Sequence, residues 1–524
     1  MFHTLAFVAF TNLNKAIPVW DSAGHIATSY LIKDNVGEFI AGEGSLTSIF
    51  KSSTYYPPLI QSTGAVVSFL FGYNHQALLV LGFTFFVLTL FYLNKLIYLL
   101  TKSTFLTFST VAIFSFFPFV FNESRNFHLD IPLVFFSVLT ILYFVKSNLL
   151  NSKKNTLLFF TFFALAQLTK WYAFTYVLPF IICYFAYRIG FSTLKNSYKN
   201  ITTGLGIFLA LTLPWYLYNF NSLVEDASIF SKGEVGDPSI ILSVANFAYY
   251  PREVMIYGIL LVPSILLVIS FLYLLTKNTR QFLLILVSVL TPFVTFLLIG
   301  NKNIRYLVPL APYFAYVISF FVYHISKRFN RVLLGALLCY QILAFAFLSF
   351  NQIKYSTPVL RPIGKALAGS YYEKYFYDPQ FYSYTQNYWP TKEVLMQIAL
   401  DADYLSKKPV GVLVVSENQY LSSSTLEMLR YELGLGSFYY PSVYFKRVVI
   451  SDLEILNFLD DNQIDYAIVS ENVGMVESTR NFEILTSYVN YFNNNTNPDF
   501  VVLNSYFLPD GSGLKIYKRT TRSW

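Results

Sequence analysis

The 524-residue chain has few cysteines and few charges, and each shortage excludes a class of protein. Its two cysteines, Cys183 and Cys339, lie within apolar runs, which excludes a disulfide framework and a cysteine-rich zinc cluster. Charged residues make up 13% of the chain, against roughly 25% in a soluble domain. No basic patch is interleaved with exposed aromatics, so nucleic acid is not an expected partner.

The residues that are present in excess are apolar and aromatic. Hydrophobic residues make up 55% of the chain, including 54 phenylalanines and 42 tyrosines. They are concentrated in runs long enough to cross a bilayer, which takes about 20 residues. The pattern predicts a polytopic α-helical membrane protein. The runs lie near 76–100, 103–121, 130–146, 156–170, 172–188, 201–220, 254–276, 281–299, 304–324 and 331–350.

The distribution of charge predicts an orientation. We place the N-terminus inside the cell and count eleven crossings, the first a short span before residue 14. Of the charged residues in 1–350, this topology puts thirteen basic ones and no acidic one on the cytoplasmic side. This agrees with the positive-inside rule. Residues 57–72 are short and partly polar, and are predicted to form an interfacial or re-entrant helix. The eleven-crossing topology predicts a plasma-membrane protein with residues 351–524 outside the cell.

The C-terminal part has a different composition and predicts a separate domain. Residues 1–350 hold 22 basic and 11 acidic residues, whereas residues 351–524 hold 15 and 18. Buried-strand patterns at 409–417 and 465–471 alternate with helical patterns at 422–433 and 452–462. The alternation predicts a small extracytoplasmic α/β domain. It has no glycine-rich phosphate loop, catalytic triad spacing or metal-ligand pattern.

Charged residues at membrane depth are costly, by roughly 2.5–3.5 kcal/mol each, so their positions carry information. Four stretches place such residues on the predicted outer side. They contain Asp21 and His25; Glu123, Arg125, His128 and Asp130; Lys170; and Lys302, Arg305 and Tyr306.

Each stretch also has a structural explanation. Asp21 could cap the helix that follows it, because aspartate accepts hydrogen bonds from free N–H groups at a helix start. Lys170 could snorkel to the interface, and Arg125 could simply pair with Asp130. Arg305 lies in a stretch that could be only a proline-kinked helix start. A functional site is favoured over these separate explanations because acids and bases from four distant stretches lie on one predicted face of the membrane.

An ordered set of motifs resembles a known family. An early outer aspartate is followed by "YYPPL" leading to "LFG", then "SRNFHLDIP", "LTKWYAF" and "NKNIRYLVPLAP". The set, over residues 16–325, resembles the GT-C glycosyltransferases. Within them it is similar to family 39, the protein-O-mannosyltransferase and aminoarabinose-transferase group. The resemblance implies a GT-C transmembrane domain over 1–350, with 14–56 as the first outer catalytic loop.

The resemblance also implies an activity and its residues. It implies transfer of a sugar from a polyprenyl-phosphate donor to a glycan, lipid or protein acceptor. Asp21 would be the catalytic base, and Asp130 with Glu123 a second acidic element that orients the acceptor or holds a divalent cation. The candidate cation ligands are Asp21, His128 and Asp130. The candidate donor-phosphate ligands are Lys170, Arg305, Tyr306, Arg125, Lys232 and Tyr56.

The family often has an acidic pair in the first loop, and Ser22 replaces its second member here. This departure leaves the acceptor class open and favours transfer to a glycan or lipid over protein O-mannosylation. The leading alternative function is a transporter or lipid flippase. Transporters place polar sites near the membrane midplane, often within internal repeats. Here the charges gather at one face and no repeat is present. An oligosaccharyltransferase is disfavoured because the C-terminal part lacks a Trp-Trp-Asp signature, and a non-enzymatic scaffold is the remaining alternative.

Overall fold

The structure is a computed structural model that describes most of the chain. The described residues are 1–188, 194–231, 244–326, 328–350, 385, 387–402, 409–416, 418–441, 443, 451–471, 480–494 and 499–520. Residues up to 350 form sixteen α-helices within the described ranges. These are α1 (Phe2–Leu13), α2 (Trp20–Ala41), α3 (Leu46–Lys51), α4 (Leu59–Phe71), α5 (His75–Thr101), α6 (Thr104–Ser115), α7 (Pro118–Glu123), α8 (Asp130–Lys146), α9 (Lys153–Gln167), α10 (Phe174–Arg188), α11 (Leu194–Ser231), α12 (Val244–Glu253), α13 (Leu261–Lys277), α14 (Thr279–Leu297), α15 (Ala311–His324) and α16 (Phe329–Phe350).

Several helices are suited to a bilayer. By length and composition, five helices among the described residues could cross a membrane: His75–Thr101, Ser197–Ser228, Thr279–Leu297, Ile304–His324 and Phe329–Phe350. Five shorter apolar helices accompany them: Phe2–Leu13, Leu59–Phe71, Thr104–Ser115, Phe174–Ala186 and Leu261–Lys277. The polytopic helical class is confirmed. The count of eleven crossings stays a prediction.

The helix boundaries differ from the apolar runs where proline or polar residues intervene. The run 103–121 is divided into α6 and α7 at Pro118, which lacks an N–H and starts a new helix at its first turn. The run 304–324 starts as a 3₁₀ helix, Ile304–Leu310, before α15. The segment 14–56, expected as a loop, contains α2 and α3. In α2 the residues Ala23, Ile26, Ala27 and Tyr30 are buried, a helical spacing within a mostly polar sequence.

Helix α8 is the centre of the bundle. All but a few of its side chains are buried, and it packs against α5, α9 and α10. Asp130 is the first residue of α8, so its carboxylate is buried at one end of this core. Helix α4 crosses α2 at Gly64, where an added Cβ would lie 2.5 Å from the Ser29 hydroxyl oxygen. Glycine therefore allows these two helices to approach closely.

The C-terminal part forms a five-stranded sheet with helices on both faces. The helices are α17 (Thr391–Asp401), α18 (Ser423–Glu432), α19 (Asp452–Asp461) and α20 (Arg480–Asn493), and the strands are β1 (Val410–Val415), β2 (Phe438–Tyr439), β3 (Ile464–Ser470), β4 (Phe500–Phe507) and β5 (Gly513–Arg519). The strand order is β2-β1-β3-β5-β4. Strands β2, β1 and β3 are parallel, while β5 is antiparallel to β3 and β4.

The predicted strands and helices of this part are observed as β1, α18, α19 and β3. Strands β2, β4 and β5 were not predicted. Residues 351–384 lie outside the described residues, so the domain boundary at 350/351 stays a prediction. Alternate residues of β1 face two different apolar cores. Val412 and Val414 join the core that continues into the membrane bundle, while Leu413 and Val415 face a second core under α19 and α20.

The C-terminal domain is anchored on α2 through α18. The Glu432 carboxylate, at the end of α18, accepts a hydrogen bond from the Tyr30 hydroxyl of α2 at 2.9 Å. It also accepts one from the His75 backbone N–H at 2.8 Å and contacts the His75 ring Nδ1 at 2.9 Å. One carboxylate therefore joins α2, α5 and the C-terminal domain.

We expect Glu432→Ala to loosen this junction. Hydrogen bonds to a charged group contribute about 1.5–3 kcal/mol, so amides of α2 and α18 should exchange hydrogen tenfold faster or more. Glu427→Ala, which removes an ion pair to Arg430 within α18, is the matched control. Hydrogen-exchange mass spectrometry measures both variants. Equal protection of α2 in Glu432→Ala and the wild type would refute the anchor.

Candidate active site

Four separate elements bring acids and bases together at one end of the bundle. Asp21 lies in the first turn of α2, and Arg305 lies in the 3₁₀ helix before α15. Asp130 starts α8, and Lys170 follows the end of α9. The four form two ion pairs, Arg305–Asp21 and Lys170–Asp130. The predicted convergence of distant stretches is therefore observed for these residues.

The first pair, Asp21 with Arg305, faces open space. An N–H of the Arg305 guanidinium donates to Asp21 Oδ2, and the Asp21 side chain is 50% exposed. Asn303 orients the arginine by accepting from its backbone N–H at 2.9 Å. Burial in this recess raises the pKa of Asp21, but Arg305 outweighs burial and holds the pKa well below its usual range. Asp21 is thus ionised at any working pH.

The alternative explanation of Asp21 as a helix cap is wrong. The N-cap of α2 is Val19, and no side chain makes a capping hydrogen bond at this helix start. The carboxylate instead bonds Arg305, which lies 284 residues away in sequence. Its position in the first turn still agrees with the helix dipole, which favours a negative charge there.

The second pair, Lys170 with Asp130, is buried. The ammonium donates to Asp130 Oδ1 at 2.7 Å, and the side chains are 5% and 2% exposed. Lys170 therefore does not snorkel. Its Nζ lies 5.7 Å and 5.6 Å from the ring centroids of Tyr56 and Tyr172. Asp130 Oδ2 is buried and has no hydrogen-bond partner within the described residues. A ligand atom that donates to this oxygen would complete it.

Glu123 and His128 form a third acidic element beside Asp130. Glu123 Oε2 lies 2.6 Å from His128 Nδ1. One ligand atom from each of Glu123, His128 and Asp130 lies within 4.8 Å of the others, a set of oxygen and nitrogen donors that could hold a divalent cation. Asp21 is not in this group, although it was a candidate ligand. The orphaned Asp130 oxygen fits such an ion, but the Lys170 ammonium already supplies one positive charge there.

His25 and Gln61 are neutral polar neighbours of the first pair. His25 lies one helical turn after Asp21 and is mostly buried. Its Nδ1 lies 3.2 Å from the Gln61 amide nitrogen, and its ring meets Tyr56 edge-to-face at 5.6 Å. Burial lowers the pKa of His25 to about 3, although Asp21 opposes the change. His25 is therefore a neutral hydrogen-bonding group at neutral pH.

Aromatic rings form one wall of the site. Tyr306 follows Arg305 and stacks on Phe296, with ring centroids 4.7 Å apart. Its carbonyl accepts a hydrogen bond from the Tyr176 hydroxyl at 2.7 Å. Tyr172 meets Tyr306 edge-to-face at 5.9 Å. Sequence reasoning missed Gln61, Tyr172 and Tyr176, because one amide or tyrosine gives no distinct signal in a chain with 42 tyrosines.

Two candidate phosphate ligands are not part of this cluster. Lys232 lies outside the described residues. Arg125 donates to the Ser349 hydroxyl at 2.7 Å and lies over the Phe10 ring, 4.3 Å from its centroid. Asp130 pairs with Lys170 rather than with Arg125, so the expected alternative pair is not observed. Lys302, also noted in the sequence, donates to the carbonyls of Phe296 and Leu297 at the end of α14.

Comparison with known proteins identifies the fold. The family model of dolichyl-phosphate-mannose-protein mannosyltransferases matches residues 56–218. The crystal structure of apo ArnT from Cupriavidus metallidurans is similar at a TM-score of 0.58 and 13% identity, covering 98% of this chain and 97% of that chain. At this level of identity the likeness shows the fold, and the chain has the GT-C fold of ArnT. The resemblance inferred from the ordered motifs is confirmed.

A second structure of ArnT agrees with this assignment of the fold. ArnT from Cupriavidus metallidurans bound to undecaprenyl phosphate has a TM-score of 0.59 at 12% identity, and the alignment covers 99% of this chain and 97% of that chain. No curated protein sequence matches the chain significantly. The family-model match covers α4 to α10 and most of α11, including Lys170 and Asp130, but neither Asp21 nor Arg305.

We expect Lys170→Ala to destabilise the protein, because it leaves the Asp130 carboxylate buried without its cation. Removing one partner of a buried ion pair costs about 3–5 kcal/mol. Adding Asp130→Asn removes the stranded charge and should recover most of that loss. Thermal unfolding of the purified variants measures this double-mutant cycle. Equal unfolding temperatures for Lys170→Ala and wild type would show that the pair contributes no stability.

Proposed function

We propose that the chain transfers a sugar from a polyprenyl-phosphate donor to an acceptor hydroxyl on the outer face of the cell membrane. The observation that carries the proposal is the pair of carboxylate–cation contacts, Asp21–Arg305 and Asp130–Lys170, at one end of an apolar bundle. The description of the matching family names a dolichyl-phosphate sugar. ArnT, which is similar to this chain in structure, was crystallised with undecaprenyl phosphate. Both support a lipid phosphate as the leaving group.

Arg305 and Lys170 are the proposed ligands of the donor phosphate. Charge builds on the phosphate oxygen as its bond to the sugar breaks, and fixed cations in a dry site stabilise that charge. Arg305 is oriented by Asn303, and its guanidinium also interacts electrostatically with Asp130 and Glu123. Tyr56 and Tyr306 belong to the aromatic wall beside the two cations. Arg125 is not proposed for this role because its guanidinium is held by Ser349 and the Phe10 ring, and Lys232 stays a candidate from sequence alone.

Asp21 is the proposed base. As the acceptor oxygen forms a bond to the sugar's anomeric carbon, the bond from that carbon to the phosphate oxygen breaks. The electron pair leaves with the polyprenyl phosphate, and the acceptor proton passes to the Asp21 carboxylate. Half of the Asp21 side chain is exposed, so an acceptor hydroxyl can reach it. Neutral His25, one turn along α2, can hydrogen-bond the acceptor without adding charge.

The donor and the base compete for Arg305 in this mechanism. Asp21 is a weak base while the guanidinium bonds it, because the cation stabilises the ionised carboxylate. A bound phosphate would share the guanidinium and weaken its bond to Asp21, which raises the basicity of the carboxylate. Donor binding thus prepares the base before the acceptor reacts.

Glu123, His128 and Asp130 are proposed to orient the acceptor. They also fit a divalent cation, which would supply a further positive charge to phosphate or sugar oxygens. Ser22, at the position of the family's second acid in the first loop, has a structural role here. Its buried hydroxyl oxygen accepts from the Phe127 N–H at 3.1 Å and holds the turn that carries His128. A glycan, lipid or protein acceptor remains compatible, whereas the transporter alternative has no supporting observation.

We expect Asp21→Asn to abolish sugar transfer without loss of the folded protein. Asparagine is isosteric but accepts no proton at working pH, and general-base contributions are typically about 10²–10⁴-fold. The same change frees Arg305, so polyprenyl phosphate should bind more tightly to the variant than to wild type. Transfer from radiolabelled polyprenyl-phosphate sugars and binding of polyprenyl phosphate are the two measurements.

Asp34→Asn is the matched control for this experiment. Asp34 lies on the same helix and accepts from Tyr73, away from the site, so its amide variant should retain transfer and donor affinity. A loss of transfer below about tenfold in Asp21→Asn would reject the base. Weaker polyprenyl phosphate binding in that variant would reject competition for Arg305.

The predicted topology gives a further test of the outer-face assignment. A cysteine replacing Asn490, exposed on α20, should react with a membrane-impermeant thiol reagent added to intact cells. A cysteine replacing Ser326, between α15 and α16, should react only after the cells are opened. The wild type, with Cys183 and Cys339, gives the background. Reaction of the Ser326 variant in intact cells would place the charged cluster on the opposite face.

A further inference from the structure

Lys302 is a buried cation to which the proposed mechanism gives no role. It lies between α14 and the 3₁₀ helix, three residues before Arg305, and it is 7% exposed. Its ammonium donates to the carbonyls of Phe296 at 3.0 Å and Leu297 at 2.6 Å, and also to that of Ile299. Within the part of the chain that the structure describes, no carboxylate pairs with Lys302. Main-chain oxygens therefore balance this buried charge.

The contacts of Lys302 cap the end of α14. The last carbonyls of an α-helix have no partner inside the helix and carry partial negative charge, which a lysine ammonium satisfies. The Leu297 carbonyl also accepts from the Asn246 side chain of α12 at 3.0 Å. The Lys302 ammonium lies over the ring of Tyr250, also on α12, 5.9 Å from its centroid. Lys302 thus joins α12 and α14 to the segment that leads into the 3₁₀ helix.

The capped end of α14 also carries a ring of the aromatic wall. Phe296 stacks on Tyr306 with ring centroids 4.7 Å apart, and on Tyr176 with centroids 5.8 Å apart. The Tyr176 hydroxyl in turn donates to the Tyr306 carbonyl at 2.7 Å. A shift at the end of α14 would therefore move Tyr306, which is the neighbour of Arg305 in the chain.

Arg305 depends on the same segment for its position. Asn303 directly follows Lys302, and its side chain accepts from the Arg305 backbone N–H at 2.9 Å at the start of the 3₁₀ helix. On the other side of Arg305, Tyr306 is fixed by its stacking on Phe296. The main chain on both sides of the arginine is thus tied to the end of α14. The guanidinium reaches its partner carboxylate from this base.

A small displacement of this base would affect the site. Loss of the Lys302 ammonium would deprive carbonyls at the buried end of α14 of their donor, and the segment would shift to satisfy them. A misplacement of about 1 Å can cost about 100-fold in rate, even when the changed residue lies away from the reacting atoms. Lys302 can therefore influence the site without contacting a ligand.

We propose that Lys302 is a positioning residue, which holds Arg305 at the donor-phosphate site by capping α14. The proposal rests on the transferase function proposed above, in which Arg305 binds the phosphate of the donor. The Lys302 ammonium is directed to three main-chain oxygens rather than to the open side of the site. The effect of losing Lys302 should accordingly depend on the presence of Arg305.

The test is a double-mutant cycle on the binding of polyprenyl phosphate to the full-length protein in lipid nanodiscs. Lys302→Met keeps an apolar side chain but removes the ammonium, and it should weaken binding about tenfold or more. Arg305→Ala should also weaken binding. Adding Lys302→Met to Arg305→Ala should change the affinity by less than about twofold, because no arginine remains to be positioned.

Lys277→Met is the matched control. Lys277 also lies in the last turn of a helix, α13, but it is exposed and at the opposite end of α14. This variant should bind polyprenyl phosphate within about twofold of wild type, as expected for a distant, independent residue. Thermal unfolding measures whether each variant is folded. If Lys302→Met does not fold, the cycle is run with Lys302→Gln, which keeps one N–H donor group at the position.

The outcomes separate this role from two others and from the proposed function. A second phosphate ligand, or a general loosening of the bundle, would give losses that multiply in the double variant. Multiplying losses, or unchanged binding in Lys302→Met, would overturn the positioning role. Unchanged binding in Arg305→Ala would instead overturn the donor-phosphate site of the proposed function.

Discussion

The pairing of charge at the edge of an apolar bundle is the constraint on which this structure depends. Lys170 and Asp130 are both buried, and neither could remain ionised there alone without a large cost in solvation. Their contact joins the end of α9 to the start of α8. Since α8 is the central helix, the Lys170–Asp130 contact helps to fix the position of the charged cluster relative to the rest of the bundle. The Asp21–Arg305 pair repeats the arrangement at a wetter position.

The two pairs differ in a way that suits different tasks. The buried pair is surrounded by tyrosine rings, which favour a cation on their faces and exclude water. The exposed pair meets open space, so its members can exchange partners when a ligand arrives. In the proposed mechanism the rigid pair positions the donor and the exposed pair takes part in the reaction. Neutral His25 and Gln61 lie beside the exposed pair and add hydrogen-bonding groups without charge.

The sequence predicted the charged members of this site for a physical reason. In a chain with 13% charged residues, Asp21, Asp130, Lys170 and Arg305 stand out because each must be compensated at membrane depth. Arg125 stood out equally, but its guanidinium is held by Ser349 and aromatic rings. A charged residue in an apolar sequence therefore indicates that some partner must balance its charge. It does not show which residue that partner is.

Neutral and long-range features were harder to predict. The Ser22 hydroxyl that holds the Phe127 N–H gives no pattern, because serine is common and its partner lies 105 residues away. Strands β4 and β5 were missed because β4 is mostly exposed and β5 mixes basic with buried apolar residues, so neither gives the continuous apolar run of a buried strand. The helical nature of α2 was hidden by its many polar residues. Its fold depends on packing against α4 and α18 rather than on an apolar run.

The contact between Glu432 and Tyr30 has a consequence for how the protein is made. These residues are 402 positions apart, yet the contact covers the helix that carries Asp21. While the chain is being synthesised, α2 emerges long before α18 exists to cover it. The helix that carries Asp21 is therefore fully braced only after most of the chain has been released and folded. A chain truncated before residue 432 would contain every charged residue of the cluster but lack this brace.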